Sequence, residues 1–168
     1  MTKCLFEFIG TLVLILLGDG VVASTILKHS KGYGGGWIVI TMAWGLAVMC
    51  GVLIAGPWSG AHLNPAVSVG LAAAGSFPWE FVPGYVAAQL LGGFCGAVLV
   101  YLYYKDHFDA TDDPATKLGV FCTMPAIMNK PRNLFCEAVG TFLLVFVILV
   151  IGNEQNTPEI GMGSLGSF

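Results

Sequence analysis

Charge is scarce in this sequence. Lys, Arg, Asp and Glu make up 10% of its 168 residues, against 56% hydrophobic residues, and the mean hydropathy is +0.80. A soluble domain carries about a quarter charged residues and could not cover its surface with so few. Basic clusters are also absent: the net charge is −3, which argues against nucleic acid or another anionic partner. Cys4, Cys50, Cys95, Cys122 and Cys136 form no C-x-x-C pair, so they read as small polarizable packing residues. No His, Cys or carboxylate set has metal-ligand spacing, and no cofactor motif stands out. Neither a nucleophile–base set nor a phosphate-binding loop is visible, so the expectation is that the chain is not an enzyme.

What the chain has instead is long apolar runs. Residues 37–56 and 81–104 contain no charge at all. A helix needs about 20 apolar residues, at about 1.5 Å each, to cross a hydrocarbon core. Two further runs qualify: 5–27, which holds Glu7 and Asp19, and 133–152, which holds Glu137. Four spanning helices are therefore expected, in a polytopic membrane protein. The first run lacks an Ala-x-Ala cleavage site and carries Glu7, so it reads as a retained helix rather than a signal peptide. "HSKGYGGG" from His29 reads as a short polar loop. The segment 105–132, with Asp106, Asp109, Asp112 and Asp113, reads as a solvated loop. The tail from Gly152 reads as turn and loop.

Between the second and third spans lies "SGAHLNPAVSVGLAAAG", residues 59–75. Gly56, Pro57, Ser59 and Gly60 are expected to end the preceding helix. Asn64 is a good N-cap, and Pro65 at N1 has the φ of a first helical turn and no wasted N–H. Twelve residues from Asn64 to Gly75 give about 18 Å of helix, roughly half a bilayer. Irregular backbone survives at membrane depth only where it lines a watery cavity or is buried in protein. The expectation is a re-entrant segment followed by a half-helix. The carbonyls of Gly60, Ala61, His62 and Leu63 would form a ladder of acceptors, and the Asn64 carboxamide would donate from the positive end of a helix dipole. Neutral, hydrogen-bonding solutes suit such a lining, whereas a cation meets the positive dipole end. Asn-Pro also opens helices in soluble proteins, but here it stands between two charge-free spans. His62 by itself reads as a packing histidine.

The chain also repeats itself. "LFEFIGTLVLILL" and "FCEAVGTFLLVFV" share Glu-x-x-Gly-Thr, with Glu137, Gly140 and Thr141 standing 130 residues after Glu7, Gly10 and Thr11. Internal repeats of this kind mark channel and transporter folds, and an odd number of spans per repeat inverts the second. A counterpart of Asn64 would fall near position 194, past Phe168.

"SGAHLNPAV" and the Glu-x-x-Gly-Thr opening of each repeat resemble the major intrinsic protein family, the aquaporins and glycerol facilitators. "GTLVLILLGDGVVA" and "KLGVFCTMPAI" resemble bacterial glycerol facilitators in particular. The resemblance implies an all-α membrane fold, an aquaporin-like inverted-repeat helical bundle with a re-entrant half-helix and an incomplete second repeat. Its parts are a first repeat at 1–105 with the half-helix at 64–75, an extramembrane loop at 106–131, and the start of a second repeat at 132–168. It implies Asn64, Pro65 and Ala66 as the pore motif, with Glu7 and Glu137 as buried structural carboxylates that hold re-entrant backbone. Trp44 would be the selectivity residue, along which the carbons of glycerol slide. Glycerol and water are the implied permeants, the lipid bilayer the setting, a homotetramer the assembly, and the bacterial inner (plasma) membrane the location. A second Asn-Pro-Ala and a selectivity Arg, also implied, do not stand in these residues. Asp19 has no role in this reading. Gly92-x-x-x-Gly96 permits close helix contact, inside a protomer or between protomers. The charge rule places only Lys3 on the N-terminal side, yet the resemblance implies a cytoplasmic N-terminus. Two other readings compete: a proton-coupled transporter using Glu7 and Glu137, and a non-conducting truncated fragment.

Overall fold

The computed structural model describes residues 1–152, so the tail expectation from Asn153 onward lies outside the described residues. Among the described residues, four helices are long and apolar enough to cross a membrane. They are α1 (Thr2–Ile26), α2 (Gly36–Ser59), α4 (Val82–Tyr103, preceded by a 3-10 turn at Trp79–Phe81) and α7 (Lys130–Ile151). Short helices fill the connections: α3 (Pro65–Ala73), α5 (Lys105–Ala110) and α6 (Pro114–Gly119).

α1 is the centre of the bundle and packs against both α2 and α4. Missing side chains allow that approach. A Cβ on Gly92 would lie 2.4 Å from the Phe8 carbonyl oxygen, and one on Gly96 would lie 2.7 Å from that of Leu12. The small-xxx-small pair therefore works inside the protomer, on α1. On the other side, α1 and α2 meet at Gly10 and Gly51, with Leu63 wedged between them.

Outward faces are strongly apolar. Trp37 is 72% exposed, and Met42, Leu46, Leu90, Phe94 and Phe142 are also exposed. Soluble monomers rarely expose large hydrophobic residues on this scale. Trp37 stands one residue into α2, where an interfacial Trp belongs.

Two expectations change. Gly56 and Pro57 do not end α2. Its last turn runs through them to Ser59, and the break comes at Gly60, whose φ of 86° is left-handed. Pro57 leaves only one carbonyl of that turn without its donor, whereas a left-handed residue turns the chain out of the helix. The half-helix is also shorter than 64–75. It has nine residues, about 14 Å, and ends at Ala73, with Ala74 as its C-cap before Gly75 at φ 78°.

The segment 105–131 is more folded than a solvated loop. Lys28 Nζ donates to Asp112 Oδ2 at 2.6 Å, and the Lys28 amide donates to Thr111 Oγ1 at 3.0 Å. Phe108 and Val120 are buried with Ala23, Leu27 and Val100 in a small apolar cluster. The segment forms a cap over the end of α1.

Candidate functional site

The site begins with one carboxylate. Glu7 sits two turns into α1 and is 0% exposed. Its Oε1 accepts from Ser59 Oγ at 2.6 Å and from the His62 amide at 2.9 Å. Its Oε2 accepts from the Leu63 amide at 2.8 Å and from Gln89 Nε2 at 2.8 Å. The Ala61 amide completes the set by donating to Ser59 Oγ at 3.1 Å. Three successive backbone N–H groups of an irregular segment are thus satisfied from one side, as buried backbone requires.

The opposite side follows from peptide geometry. A trans peptide points its C=O away from its N–H. With the Ala61, His62 and Leu63 amides directed at Ser59 and Glu7, the carbonyls of Gly60, Ala61 and His62 face the other way. None of the Gly60, Ala61, His62 or Leu63 carbonyls accepts a hydrogen bond from a described residue. All four residues line a cavity of about 790 Å³. To reach this conformation Ala61 and Leu63 adopt left-handed φ values of 50° and 53°, each costing about 1–3 kcal/mol. The four bonds to Glu7 and the seating of Leu63 offset that strain. A Cβ at Gly10 would lie 2.6 Å from Leu63 Cδ2, and one at Gly51 would lie 2.8 Å from Leu63 Cδ1.

Asn64 caps α3 with its own oxygen, Oδ1 accepting from the Ala66 amide at 2.8 Å. Asn64 lines the cavity, and its Nδ2 hydrogens bond no described residue. Pro65 occupies the first turn without a donor to lose. His62 packs edge-on against Phe77 and Tyr85, with Nδ1 3.0 Å from Ser68 Oγ. Ser68 in turn accepts from Gln89 at 3.0 Å, and Tyr85 donates to the Ser59 carbonyl at 2.7 Å. Trp44 lines the same cavity, its ring against Gly18 of α1.

Glu137 departs from expectation. It is exposed on α7 and hydrogen-bonds no described residue. α7 packs mainly on α3, where Val145 meets Gly70, so no described segment brings donors to Glu137. Sequence reasoning also missed Gln89, Ser68, Tyr85 and Ser59 as members of the network. One signal was available for Gln89: it is the sole amide side chain in the charge-free run 81–104, and such a group in a membrane needs partners. Asp19, which had no assigned role, lines the cavity.

A bundle of membrane-length helices, entered by irregular backbone that leads into a half-helix and lines a cavity, defines a multi-pass membrane protein. The chain belongs to the major intrinsic protein family, whose profile it matches over residues 1–165. It is 56% identical over 155 residues to a probable glycerol uptake facilitator protein of Thermotoga maritima, covering 92% of this chain and 66% of that protein. It is 50% identical over 160 residues to the glycerol uptake facilitator protein of Bacillus subtilis, covering 95% and 58%. Among solved structures it is similar to the aquaglyceroporin from Plasmodium falciparum, with a TM-score of 0.60 and 42% identity over 64% of this chain and 43% of that one. The chain thus spans about three fifths to two thirds of the length of these curated relatives.

Proposed function

We propose that the protein is a passive membrane channel for glycerol, similar small neutral solutes and water, and that it excludes ions and protons. One observation carries this reading: Gly60, Ala61, His62, Leu63 and Asn64 line one cavity, and the Ala61, His62 and Leu63 amides are turned back to Ser59 and Glu7, which leaves the Gly60, Ala61 and His62 carbonyls on the other side. A solute crossing that lining meets acceptors along one wall and a donor at its end. The same cavity is lined by the apolar residues Leu14, Val48, Val52 and Leu90 and by Trp44. Hydroxyl groups on a carbon backbone fit both kinds of lining. The names of the similar proteins support glycerol as the permeant. In this reading the channel sits in the bacterial inner membrane with its N-terminus in the cytoplasm, as a homotetramer that uses the exposed apolar faces of α2 and α4.

A proton-coupled transporter finds less support. Glu7 is saturated by four donors inside protein, and Glu137 lies on a different helix with no described partner.

Reconstitution into liposomes with stopped-flow light scattering tests the reading. Glycerol flux should rise linearly with its gradient and ignore an imposed pH gradient; saturating, pH-driven flux overturns it, and so does the absence of flux. Trp44→Phe should lower the ratio of glycerol to water permeability severalfold, and an unchanged ratio removes Trp44 from the pathway.

A further inference from the structure

Asp19 is a carboxylate on a membrane-spanning helix, and nothing described so far uses it. It is 7% exposed, and no described residue donates a hydrogen bond to it. It lines the cavity of the re-entrant segment and also a second cavity of about 760 Å³, bounded by Thr25, Trp37, Thr41 and the 119–124 stretch. Asp19, Trp44, Ile15 and Phe121 line both cavities, so these four residues stand where the two spaces meet. Trp44 is fixed there by contact with Gly18, the residue before Asp19. Among the described residues no Lys, Arg or Glu lines either cavity.

An ionisable group inside a membrane is costly and is kept where it faces a partner or a pathway. Here the partner is not a described side chain, and the group lines two adjoining spaces. A carboxylate accepts through two oxygens side by side and, when ionised, donates nothing. We propose that Asp19 is a specificity-determining residue of the pathway, accepting hydrogen bonds from two hydroxyls on neighbouring carbons of a polyol while the Trp44 ring holds the carbon side. This rests on the reading of the cavity as a solute pathway and adds to it a preference for vicinal diols. The Gly60–Leu63 carbonyls take hydroxyls one at a time along a wall, whereas Asp19 presents two acceptors at one point.

Isomeric diols isolate that difference. 1,2-Propanediol and 1,3-propanediol have the same atoms and differ in the spacing of their hydroxyls. Proteoliposomes carrying the protein, or its Asp19→Val or Asp19→Asn variant, would be assayed for water, glycerol and each diol. The unaltered protein should favour 1,2-propanediol. Asp19→Val should lower the 1,2- to 1,3-propanediol flux ratio about tenfold, the worth of one charge-assisted hydrogen bond, with water permeability retained. Asp19→Asn, which keeps one acceptor oxygen, should fall between. An unchanged ratio in both variants overturns the proposal. So does a parallel loss of water and of both diols, which would make Asp19 a structural partner of another part of the protein. Failure of the unaltered protein to pass glycerol is a different result and removes the pathway itself.

Discussion

The two Glu-x-x-Gly-Thr segments have the same letters and opposite surroundings. On α1, Glu7 is fully buried with four donors, Thr11 is buried, and a Cβ on Gly10 would strike Leu63 and Ala55. On α7, Glu137 and Thr141 are exposed, and a Cβ on Gly140 would meet nothing within 4 Å. Both helices satisfy the apolar length rule, so the difference does not lie in the helices. It lies in what reaches them. The stretch from Ser59 to Leu63 brings a hydroxyl and two amides to Glu7 and pushes Leu63 against Gly10. The motif is a socket, and the re-entrant backbone turns it into a site.

Removing the carboxylates one at a time should break the symmetry most strongly. Glu7→Ala strands a hydroxyl, two amides and the Gln89 carboxamide in a buried place. Each buried donor left without its acceptor costs about 1–3 kcal/mol. Thermal melts in detergent should show a large fall for Glu7→Ala, together with loss of solute flux. Glu137→Ala, at an exposed position, should stay within about 0.5 kcal/mol of the unaltered protein. Equal effects would mean that Glu137 is held by something beyond the described residues, and the contrast would fail.

The glycines sharpen the same comparison at a smaller scale. At Gly10 an added methyl would sit 2.6 Å from Leu63 Cδ2 and 2.9 Å from Ala55 Cβ. Forcing an extra carbon into a packed core costs about 1–3 kcal/mol, and the displaced residue here is the one seated beside the carbonyl wall. Gly10→Ala should therefore lower both melting temperature and glycerol flux. Gly140→Ala has open space, and Ala favours a helix interior over Gly by about 1 kcal/mol. It should be neutral or stabilising, and a loss matching that of Gly10→Ala would sink the idea that only the first socket is filled.

How much of this was legible in the sequence depends on the distance over which each feature is decided. The four spans were readable within a residue or a few because membrane thickness fixes helix length. The Asn64–Pro65 start of the half-helix was readable because a cap is local. The exposure of Glu137 was not: the motif names a carboxylate, but its environment comes from remote chain. For Glu7 that remote chain lies 52 to 82 residues away, at Ser59, His62, Leu63 and Gln89. The end of α2 was misplaced because Gly56, Pro57 and Gly60 are all breakers by type, and which one acts depends on the φ that tertiary contacts impose. The packing of Phe108 and Val120 under a charged segment was hidden for the same reason, since the Asp residues around them dominate its composition.

Ion pairing outside the membrane gives the mildest contrast with the Glu7 network. Lys28 and Asp112 meet at 2.6 Å, but their side chains are 46% and 88% exposed. The Lys28 hydrogen bond and charge hold the Asp112 carboxyl below its ordinary range, and Asp112 in turn raises Lys28. Asp113, which caps α6, is lowered mainly by its hydrogen bond with the Thr116 side chain. A lowered carboxyl contributes above its unfolded value of about 3.9 and loses that contribution as pH falls through the folded value. The raised lysine contributes below about 10.4 and loses its share only as pH climbs past the folded value. Between those limits the cap over α1 should be steady. Acidification through the carboxylate range should speed hydrogen exchange at the Lys28, Ala115 and Thr116 amides, after correction for intrinsic rates. Asp112→Asn should remove the response at Lys28 while leaving that at Ala115 and Thr116. Salt near 1 M should also loosen the exposed pair, because screening acts within about 3 Å there. It should leave the His62 and Leu63 amides protected, because their acceptor is buried. Exchange at Leu63 that rose with salt alongside Lys28 would show that the re-entrant network is solvated, and the contrast between the buried and the exposed charges would collapse.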